Sequence, residues 1–267
     1  MAATHAFDLC LSFPQWQGSA RHENLLRGGR AAAETCKAFA PRFETVPLVG
    51  ETPQEHGVNN WRSIITQLRA AKSILASRQP RRVLTAGGDC SVDVAVIDYL
   101  SGVYPDLSVL WIDAHLDANT PETTPSGSFH GMPVAALLGE APEPVKGELH
   151  NALSSDRFFY WGVRVGDEGE WRFKSSRDLR ILDSPSALSG KVHIHFDLDV
   201  LEPTEFPHLA YKEPGGRRFE EALALVAAVA PRAELVGLTI TEFAPADEAG
   251  AQEGRLFIQR LCEAAAR

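Results

Sequence analysis

The sequence lacks the features that mark several classes of protein. Its 267 residues include only four cysteines, which lie far apart and form no Cys-x-x-Cys pair, so we expect reduced thiols and a cytoplasmic location. Acidic residues outnumber basic ones by 35 to 26, and the net charge of −9 argues against nucleic acid or an anionic membrane as the main partner. No apolar run approaches the roughly 20 residues that span a bilayer. The first residues also lack the basic-then-apolar pattern of a signal peptide.

Short apolar segments alternate with helix-like segments along the whole chain. The predicted strands are Phe7–Phe13, Phe43–Val49, Arg82–Ala86, Leu107–Asp113, Phe158–Val163, Leu179–Leu182, Val192–Asp197 and Leu235–Glu242. The predicted helices are Gly29–Ala40, Asn60–Ser77, Ser91–Tyr104, Phe219–Val229 and Gly254–Ala266. Because several strands are apolar on both faces, the sheet should be parallel and covered on both sides. The pattern predicts a single α/β domain over residues 1–267, a three-layer α/β/α sandwich around a mostly parallel sheet of roughly eight strands.

The most distinctive residues fall where predicted strands end. Asp113, His115 and Asp117 alternate after one strand, and Asp197 and Asp199 alternate after another. Alternate residues of an extended chain point to the same face. Open parallel sheets bind ligands at the edge formed by the carboxyl ends of their strands. The sequence therefore predicts that these side chains meet at one edge of the sheet.

Two further candidates, Cys90 and Glu242, follow other strands at the same predicted edge. Carboxylates gathered in one place repel one another unless cations hold them, and a divalent metal is the natural occupant. Bridging carboxylates, an imidazole and room for a water are what a two-metal hydrolytic site requires. A single Asp after a strand commonly caps a turn instead. Five metal-type residues in two alternating patterns favour metal binding over capping.

Four motifs together resemble the signatures of the arginase–agmatinase, or ureohydrolase, family. They are Trp111-Ile-Asp-Ala-His-Leu-Asp, His130-Gly-Met-Pro, His195-Phe-Asp-Leu-Asp-Val and Thr241-Glu-Phe-Ala-Pro. The match runs in order from about Val83 to Pro245. Known members of that family have a three-layer α/β/α fold, hold two Mn²⁺ ions bridged by hydroxide, and hydrolyse guanidino groups. The resemblance therefore implies a hydrolase with two Mn²⁺ per chain.

The resemblance also implies a role for each candidate. The metal ligands would be Cys90 and Asp117 at one ion, His115 and Asp199 at the other, and Asp113 and Asp197 between the two. The catalytic residues would be His130, a mobile imidazole that transfers a proton, Glu242, which pairs with the guanidinium, and the ligand Asp117. Elementary chemistry agrees, since a carboxylate holds a planar guanidinium by two charge-assisted hydrogen bonds. An imidazole is also a natural proton donor to a departing amine near neutral pH.

The segment between Asp117 and His130 is polar and rich in turn residues, as in a binding loop. It resembles the arginase branch, in which residues at the positions of Asn119 and Ser126 hold the substrate's α-carboxylate. Asp167 similarly matches the acidic residue that meets the α-amino group. Each of these three residues could instead simply form a loop. Together they favour an α-amino acid over a simple amine such as agmatine as substrate.

Cys90 stands where most of the family has a histidine ligand. A coordinating cysteine is usually a thiolate, which would add negative charge and leave a metal-bound water less acidic. A protonated thiol would instead hold its metal weakly. Either state makes a guanidinium harder to attack, so we hypothesise a more easily activated substrate, Nω-hydroxy-L-arginine. The alternative is that Cys90 is a degraded ligand in a one-metal or inactive relative.

A second departure from the family pattern lies in the stretch from Phe206 to the paired Gly215 and Gly216, where Tyr211 and Lys212 replace small residues. Tyr211 could contact a substrate hydroxyl or merely fill space.

Two further residues, Glu202 and His195, lie close in sequence to the second acidic pair. Glu202 replaces the usual Asp after the second acidic pair. His195 shares a strand face with Asp197 and is either a hydrogen-bond partner beneath the metals or a packed sheet histidine.

The sequence as a whole predicts a binuclear manganese amidinohydrolase acting on an arginine-like amino acid. Its products would be L-ornithine with hydroxyurea, or with urea if L-arginine is the substrate. The alternatives are an agmatinase or formiminoglutamase-type C–N hydrolase, and a metal-poor, non-catalytic family member. By analogy with the family we expect a homo-oligomer, a trimer or hexamer, with no nucleic-acid or membrane partner.

Overall fold

A computed structural model describes residues 6–19, 22–151 and 153–266. Its centre is an eight-stranded, all-parallel sheet with the strand order β2-β1-β3-β8-β7-β4-β5-β6. The strands are β1 Leu9–Phe13, β2 Phe43–Thr45, β3 Val83–Gly87, β4 Ser108–Ile112, β5 Phe158–Trp161, β6 Arg180–Ile181, β7 Lys191–Asp197 and β8 Glu234–Thr241. All eight predicted strands are confirmed. The residues on which the expectation of no signal peptide rests lie largely outside the described part of the chain.

Helices connect successive strands and cover the sheet. They are α1 His22–Cys36, α2 Trp61–Arg78, α3 Asp93–Val103, α4 Pro133–Ala135, α5 Glu143–Lys146, α6 Glu168–Ser176, α7 Phe219–Val229 and α8 Glu248–Ala265. The five predicted helices are present, and the bounds of α7 are as predicted. The sequence analysis missed the short helices α4 and α5 and also α6, whose first turn is marked by a capping box between Asp167 and Glu170.

The side chains of each strand alternate between two cores, which confirms the three-layer α/β/α architecture. On one face, Leu11 and Phe13 of β1 pack in a cluster with residues of α2 and α3 such as Leu68. On the opposite face, Cys10 packs in a second cluster that includes Cys36 of α1 and residues of α7 and α8. Burial on both faces explains why these strands are continuously apolar. None of the helices within the described ranges is long and apolar enough to cross a membrane.

Element ends differ from prediction for identifiable reasons. β2 ends at Thr45, four residues before the predicted end, because Pro47 has no N–H to continue the ladder. α8 begins at Glu248 rather than Gly254, with Asp247 accepting a hydrogen bond from the Gly250 N–H at 2.8 Å. Gly254 therefore lies inside the helix.

Close packing explains why two helices contain glycines near the positions where the sequence predicted their first residues. A Cβ on Gly28 of α1 would lie 1.7 Å from the carbonyl oxygen of Phe243. A Cβ on Gly254 of α8 would lie 2.2 Å from the ring of the same phenylalanine. The glycines let both helices approach the segment that follows β8, which carries a candidate site residue, Glu242.

Candidate metal centre

The candidate residues come together at the carboxyl ends of four strands that are neighbours in the sheet, β3, β8, β7 and β4. Cys90 follows β3 in a single 3₁₀ turn, Glu242 follows β8, Asp197 ends β7, and Asp113 follows β4. The cluster is almost completely enclosed, since Cys90, Asp113, Asp197, Asp199 and Glu242 are each at most 1% exposed. The prediction that one edge of the sheet collects these side chains is confirmed.

One half of the cluster, which we call the His115 side, consists of His115 and Asp199. The His115 Nδ1 atom lies 2.9 Å from Asp199 Oδ2 and 3.5 Å from Asp113 Oδ1. Burial alone would lower the pKa of His115, but Asp199 and Asp113 outweigh burial and raise it. Burial likewise opposes ionisation of Asp199, yet His115 holds the pKa of that carboxyl below its ordinary value. The Ala114 N–H also donates to Asp199 Oδ1 at 3.1 Å. Without cations, His115 and Asp199 therefore form a charged pair that satisfies both side chains.

The other half, the Cys90 side, consists of Cys90, Asp117, Asp197 and Glu242. The Cys90 thiol donates to Asp197 Oδ2 at 2.8 Å and lies 4.0 Å from Glu242 Oε1. Burial, and after it the charge of Asp197, raises the pKa of the thiol well above its ordinary value. Burial and neighbouring carboxylates similarly raise the pKa values of Asp117, Asp197 and Glu242. Among the described residues, the only basic side chains near this half are two imidazoles. His115 lies on the opposite side of the cluster, and His130 lies at the rim.

Asp117 and Glu242 share two unusual features. Both adopt left-handed backbone conformations, with φ of 48° and 59° respectively, which cost a non-glycine residue about 1–3 kcal/mol. Each also has one buried carboxylate oxygen, Oδ2 and Oε2 respectively, that lacks a hydrogen-bond partner among the described residues. Buried polar atoms are nearly always satisfied. These two oxygens are therefore available to bind a ligand, such as a cation or a hydrogen-bond donor of a substrate.

The donor atoms are close enough together to surround metal ions. Ligand atoms of Asp113, His115 and Asp199 lie within 4.8 Å of one another, and so do those of Cys90, Asp197 and Glu242. A third such group contains Cys90, Asp113, Asp117 and His195, so Asp113 belongs to two groups. Mostly carboxylate donors with an imidazole suit manganese or a similar divalent ion. The residues present thus fit divalent cations, and Asp113 would contribute to two of the candidate groups.

A buried network that the sequence analysis missed supports the cluster from below. Asp93, in the first turn of α3, accepts hydrogen bonds from Thr239 Oγ1 at 2.6 Å, and its Oδ2 lies 2.8 Å from His193 Nε2 and 2.9 Å from His195 Nδ1. Burial opposes its ionisation, but the two imidazoles outweigh burial and hold the pKa of Asp93 below its ordinary value. The available signal was an Asp at the start of a mostly apolar helix, three residues after Cys90.

A second buried network fixes the turn that carries Cys90. The Asp89 carboxylate accepts hydrogen bonds from the Gly18 N–H at 2.9 Å, the Ser91 N–H at 3.0 Å and the Gln15 amide at 3.2 Å. Burial raises the pKa of Asp89 to about 6, although the hydrogen bond from Ser91 opposes the shift. Asp89 therefore orders this turn and the N-terminal loop together.

His130 lies at the rim of the Cys90 side, with a fifth of its side chain exposed. Its Nδ1 atom is 3.6 Å from Glu242 Oε1. The imidazole stacks on the Tyr211 ring, with centroids 5.1 Å apart and an interplanar angle of 24°. Enclosure lowers the pKa of His130. Tyr211 also contacts Ser19 through its hydroxyl, at 3.2 Å from Ser19 Oγ, so it bridges the rim of the site.

The proposed substrate contacts divide into a pair and a separate residue. The Asn119 amide donates to Asp167 Oδ2 at 2.9 Å, and Asp167 caps α6 by accepting from the Glu170 N–H at 3.2 Å. Glu170, which sequence reasoning overlooked, accepts in turn from the Ala118 N–H at 3.2 Å. Ser126 lies on an exposed turn, where its Oγ accepts from the Ser128 N–H at 3.1 Å. Within the described residues, no hydrogen bond joins Ser126 to Asn119 or Asp167.

The loop that follows β7 is fastened on both sides. Arg164 donates to the carbonyl oxygens of Asp199 at 2.9 Å and Glu213 at 2.8 Å. Glu202 accepts from the N–H groups of Gly215 at 3.0 Å and Gly216 at 2.9 Å. Glu202 therefore anchors the paired glycines. Its side chain is one methylene longer than that of the usual Asp. This loop brings Tyr211 to His130.

Comparison with known families decides where this arrangement belongs. A model of the family described as "Arginase family" matches residues 43–266, which include every candidate metal ligand. The chain belongs to the arginase family. This membership confirms the resemblance carried by the four sequence motifs.

The individual arginases that this chain resembles share a third or less of their aligned residues with it. An arginase of Schizosaccharomyces pombe is 33% identical over 189 residues, covering 62% of this chain and 58% of the yeast protein. An arginase of Staphylococcus aureus strain COL is 30% identical over 190 residues, covering 63% of each chain. The chain thus spans less than two thirds of the length of these relatives. The arginase structure from Entamoeba histolytica superposes with a TM-score of 0.83 at 20% identity, covering 97% of both chains, which shows a shared fold.

Proposed function

We propose that this chain is a binuclear manganese amidinohydrolase. It hydrolyses the guanidino group of an arginine-like amino acid, and Nω-hydroxy-L-arginine is favoured over L-arginine. The products are L-ornithine together with hydroxyurea or urea. The observation that carries the proposal is that five buried carboxylates lie together with one thiol and two imidazoles, and that two of the carboxylate oxygens have no partner among the described residues. A pair of cations, when bound, lowers the pKa of a shared water and so provides hydroxide at neutral pH.

The substrate end of the site is formed by Glu242 and His130. Glu242 offers a free, buried Oε2 beside Oε1, which is the geometry that accepts two N–H groups of a planar guanidinium. The His130 Nδ1 atom lies 3.6 Å from Glu242 Oε1, so its imidazole lies next to a guanidinium held there. When water adds to the guanidino carbon and the C–N bond breaks, the departing amine needs a proton. His130 is placed to deliver that proton.

The Asn119–Asp167 pair supports an α-amino acid as substrate. An amide and a carboxylate held 2.9 Å apart at the start of α6 offer a donor for an α-carboxylate and an acceptor for an α-ammonium group. The capping of α6 fixes Asp167, and the contact with Thr123 Oγ1 at 2.8 Å fixes Asn119. The Entamoeba histolytica arginase was solved in complex with L-ornithine, an α-amino acid, which supports the same assignment here.

The preference for the hydroxylated guanidine rests on Cys90. Its thiol donates to Asp197, and burial, together with the surrounding carboxylates, raises its pKa. If a cation converts the thiol to thiolate, the site gains a negative charge, and the water shared by the ions becomes less acidic. A weaker supply of hydroxide favours a less basic guanidino group, because that group is easier to present in its neutral form. N-hydroxylation lowers the basicity in this way.

A product assay on a guanidino panel with added Mn²⁺ tests the proposal. The panel is arginine, Nω-hydroxyarginine, agmatine, guanidinobutyrate and formiminoglutamate. We expect turnover of the two amino acids with ornithine as the common product, and kcat/KM at least about tenfold higher for hydroxyarginine, a difference of about 1.4 kcal/mol in activation free energy. Turnover confined to agmatine or formiminoglutamate would assign another C–N hydrolase activity. No product and no bound metal would indicate a non-catalytic role.

Exchange of Cys90 separates the substrate preference from the activity itself. We expect Cys90→His to raise kcat/KM for arginine relative to hydroxyarginine, because a neutral ligand leaves the water more acidic. Cys36→Ala, at a buried thiol 3.9 Å from Cys262 and remote from the site, is the matched control and should leave the ratio unchanged. Equal or better turnover of plain arginine by the wild type would reject the hydroxyarginine preference while leaving the hydrolase assignment intact.

A further inference from the structure

We propose that His195 is a direct metal ligand and supplies an imidazole to the ion on the Cys90 side. The inference rests on the proposed metal pair and adds to the ligand set a residue that the sequence motifs do not assign. His195 is fully buried in β7, two residues before Asp197 on the same strand face. Both of its ring nitrogens face polar atoms.

The first argument is proximity. A ring nitrogen of His195 lies in one group with donor atoms of Cys90, Asp113 and Asp117, all within 4.8 Å of one another. Metal–nitrogen and metal–oxygen bonds of about 2.0–2.2 Å place opposite ligands of one ion about 4 Å apart. The four donors can therefore surround a single cation with small adjustments. The buried Oδ2 of Asp117, which has no hydrogen-bond partner among the described residues, is an independent sign that this group binds a ligand.

The second argument concerns which nitrogen is available. His195 Nδ1 lies 2.9 Å from Asp93 Oδ2, and Asp93 also accepts from the Thr239 hydroxyl. A carboxylate can only accept, so Nδ1 carries the proton, and Nε2 presents a lone pair. His195 Nε2 lies 3.3 Å from Thr241 Oγ1, which in turn is 3.6 Å from the Cys90 sulfur. A ligating histidine usually donates its second N–H to a carboxylate in this manner.

The third argument is that the ring is held rigidly. The His195 imidazole stacks on the Trp111 indole, with centroids 3.5 Å apart and an interplanar angle of 5°. The same indole donates to Asp113 Oδ2 at 3.0 Å, so one side chain orients two members of the group. An imidazole held in place before metal arrives loses little conformational freedom on binding. It also contributes a donor without adding negative charge to a half-site that is already rich in carboxylates.

His193 provides a matched control on the same strand face. Its Nε2 atom contacts Asp93 Oδ2 at 2.8 Å, as His195 Nδ1 does, but it is in none of the groups that can hold a metal. His195→Asn retains an amide near the position of Nδ1 and deletes Nε2. His193→Gln retains an amide near the position of Nε2, so each variant preserves a donor to Asp93. Both substitutions therefore keep a hydrogen bond to Asp93, and only His195→Asn should weaken the metal.

The experiment measures Mn²⁺ binding and nitrogen coordination, independently of turnover. Metal-free protein is titrated with Mn²⁺ while free Mn²⁺ is followed by electron paramagnetic resonance. Pulsed measurements on the loaded protein then count the coupled imidazole nitrogens. For the wild type we expect two ions and two coordinated imidazoles, those of His115 and His195. His195→Asn should weaken one ion by about 10- to 100-fold or more and lose one nitrogen coupling. His193→Gln should bind both ions within about threefold of wild type.

The outcomes separate this inference from the proposed function. Two ions with a single coupled imidazole in the wild type would overturn the assignment, and this measurement needs no variant to fold. Weaker binding by His195→Asn without loss of a coupling would show a positioning role only, and would also overturn it. Failure of the wild type to bind any Mn²⁺ would instead refute the proposed metal pair itself.

Discussion

The two sides of the acidic site differ in how far their charges are paired. On the His115 side, His115 and Asp199 lie 2.9 Å apart and shift each other's pKa values toward the charged forms. On the Cys90 side, Asp117 and Glu242 each keep an unpartnered buried oxygen, and their pKa values are raised. One half is thus electrostatically complete without cations, and the other is not.

This contrast predicts that the two halves would respond differently to a cation. A cation at the His115 side must displace the proton of the ion pair, so binding there is linked to proton release. A cation at the Cys90 side relieves repulsion among carboxylates that the fold forces together, as the left-handed backbones of Asp117 and Glu242 indicate. We therefore expect the two halves to respond differently when single members are removed.

The largest effect should come from Asp113, the residue that belongs to a group on each side. We expect Asp113→Asn to abolish tight binding of both ions and to reduce kcat/KM by about 10³-fold or more, because the provision of hydroxide is lost. Metal content after dialysis and turnover of the preferred substrate are the measurements. Asp183→Asn, at an exposed carboxylate, is the control. Retention of two ions by Asp113→Asn would mean that the halves are independent sites.

A smaller loss is expected at His130, which lies next to the Cys90 side and belongs to none of the groups that can hold a metal. His130→Asn should lower kcat by about 10²- to 10⁴-fold, because proton delivery to the departing amine is lost. Metal content should remain at the wild-type level. His150→Asn, at an exposed histidine, should leave kcat unchanged. Unchanged kcat in His130→Asn would assign proton transfer to another group.

The sequence was a good guide to both halves of the site because their residues are local to strand ends. Strands buried on both faces are continuously apolar, so β4 and β7 and the acidic residues that end them could be recognised directly. Sequence could not show which charges pair. The contacts of His115 with Asp199, and of Cys90 with Asp197, span 84 and 107 residues and exist only because β3, β7 and β4 lie close together in the sheet.

The residues that were missed have roles that depend on tertiary packing. Asp93 lies in an apolar helix, and only the folded sheet places two histidines against it. Glu170 lies in α6, a helix whose polar sequence lacks the apolar periodicity by which helices are predicted. The capping pattern formed by Asp167 and Glu170 does mark its start. Gly254 was interpreted as a helix boundary, whereas close contact with Phe243 requires it inside α8.

The stability of the metal-free protein gives the most direct test of the contrast. We expect Asp199→Asn to destabilise the chelator-treated protein by about 3 kcal/mol, because it removes the nearest carboxylate partner of the largely enclosed His115 imidazole. Asp117→Asn, on the other side, should raise the melting temperature by about 2–4 °C, because it removes a repelled carboxylate that has no partner for its Oδ2. Thermal unfolding in excess chelator measures both. Equal destabilisation by the two changes would show that the halves are not electrostatically distinct.

The smallest effect should lie outside the metal groups, at Asn119. Its amide contacts Asp167 rather than any member of the acidic cluster. We expect Asn119→Ala to lower kcat/KM for hydroxyarginine and arginine by about tenfold, through loss of roughly one hydrogen bond to a charged group. The residual turnover of agmatine, which lacks the α-carboxylate, should be unchanged and provides the internal control. An equal loss with agmatine would mean that Asn119 acts by shaping the Asp117 loop, since the Asn119 N–H also donates to the Gly131 carbonyl at 2.9 Å, next to His130. In that case Asn119 would affect turnover by holding the substrate loop in position next to the metal groups. Discrimination among guanidines would then have to arise at Glu242 and Cys90.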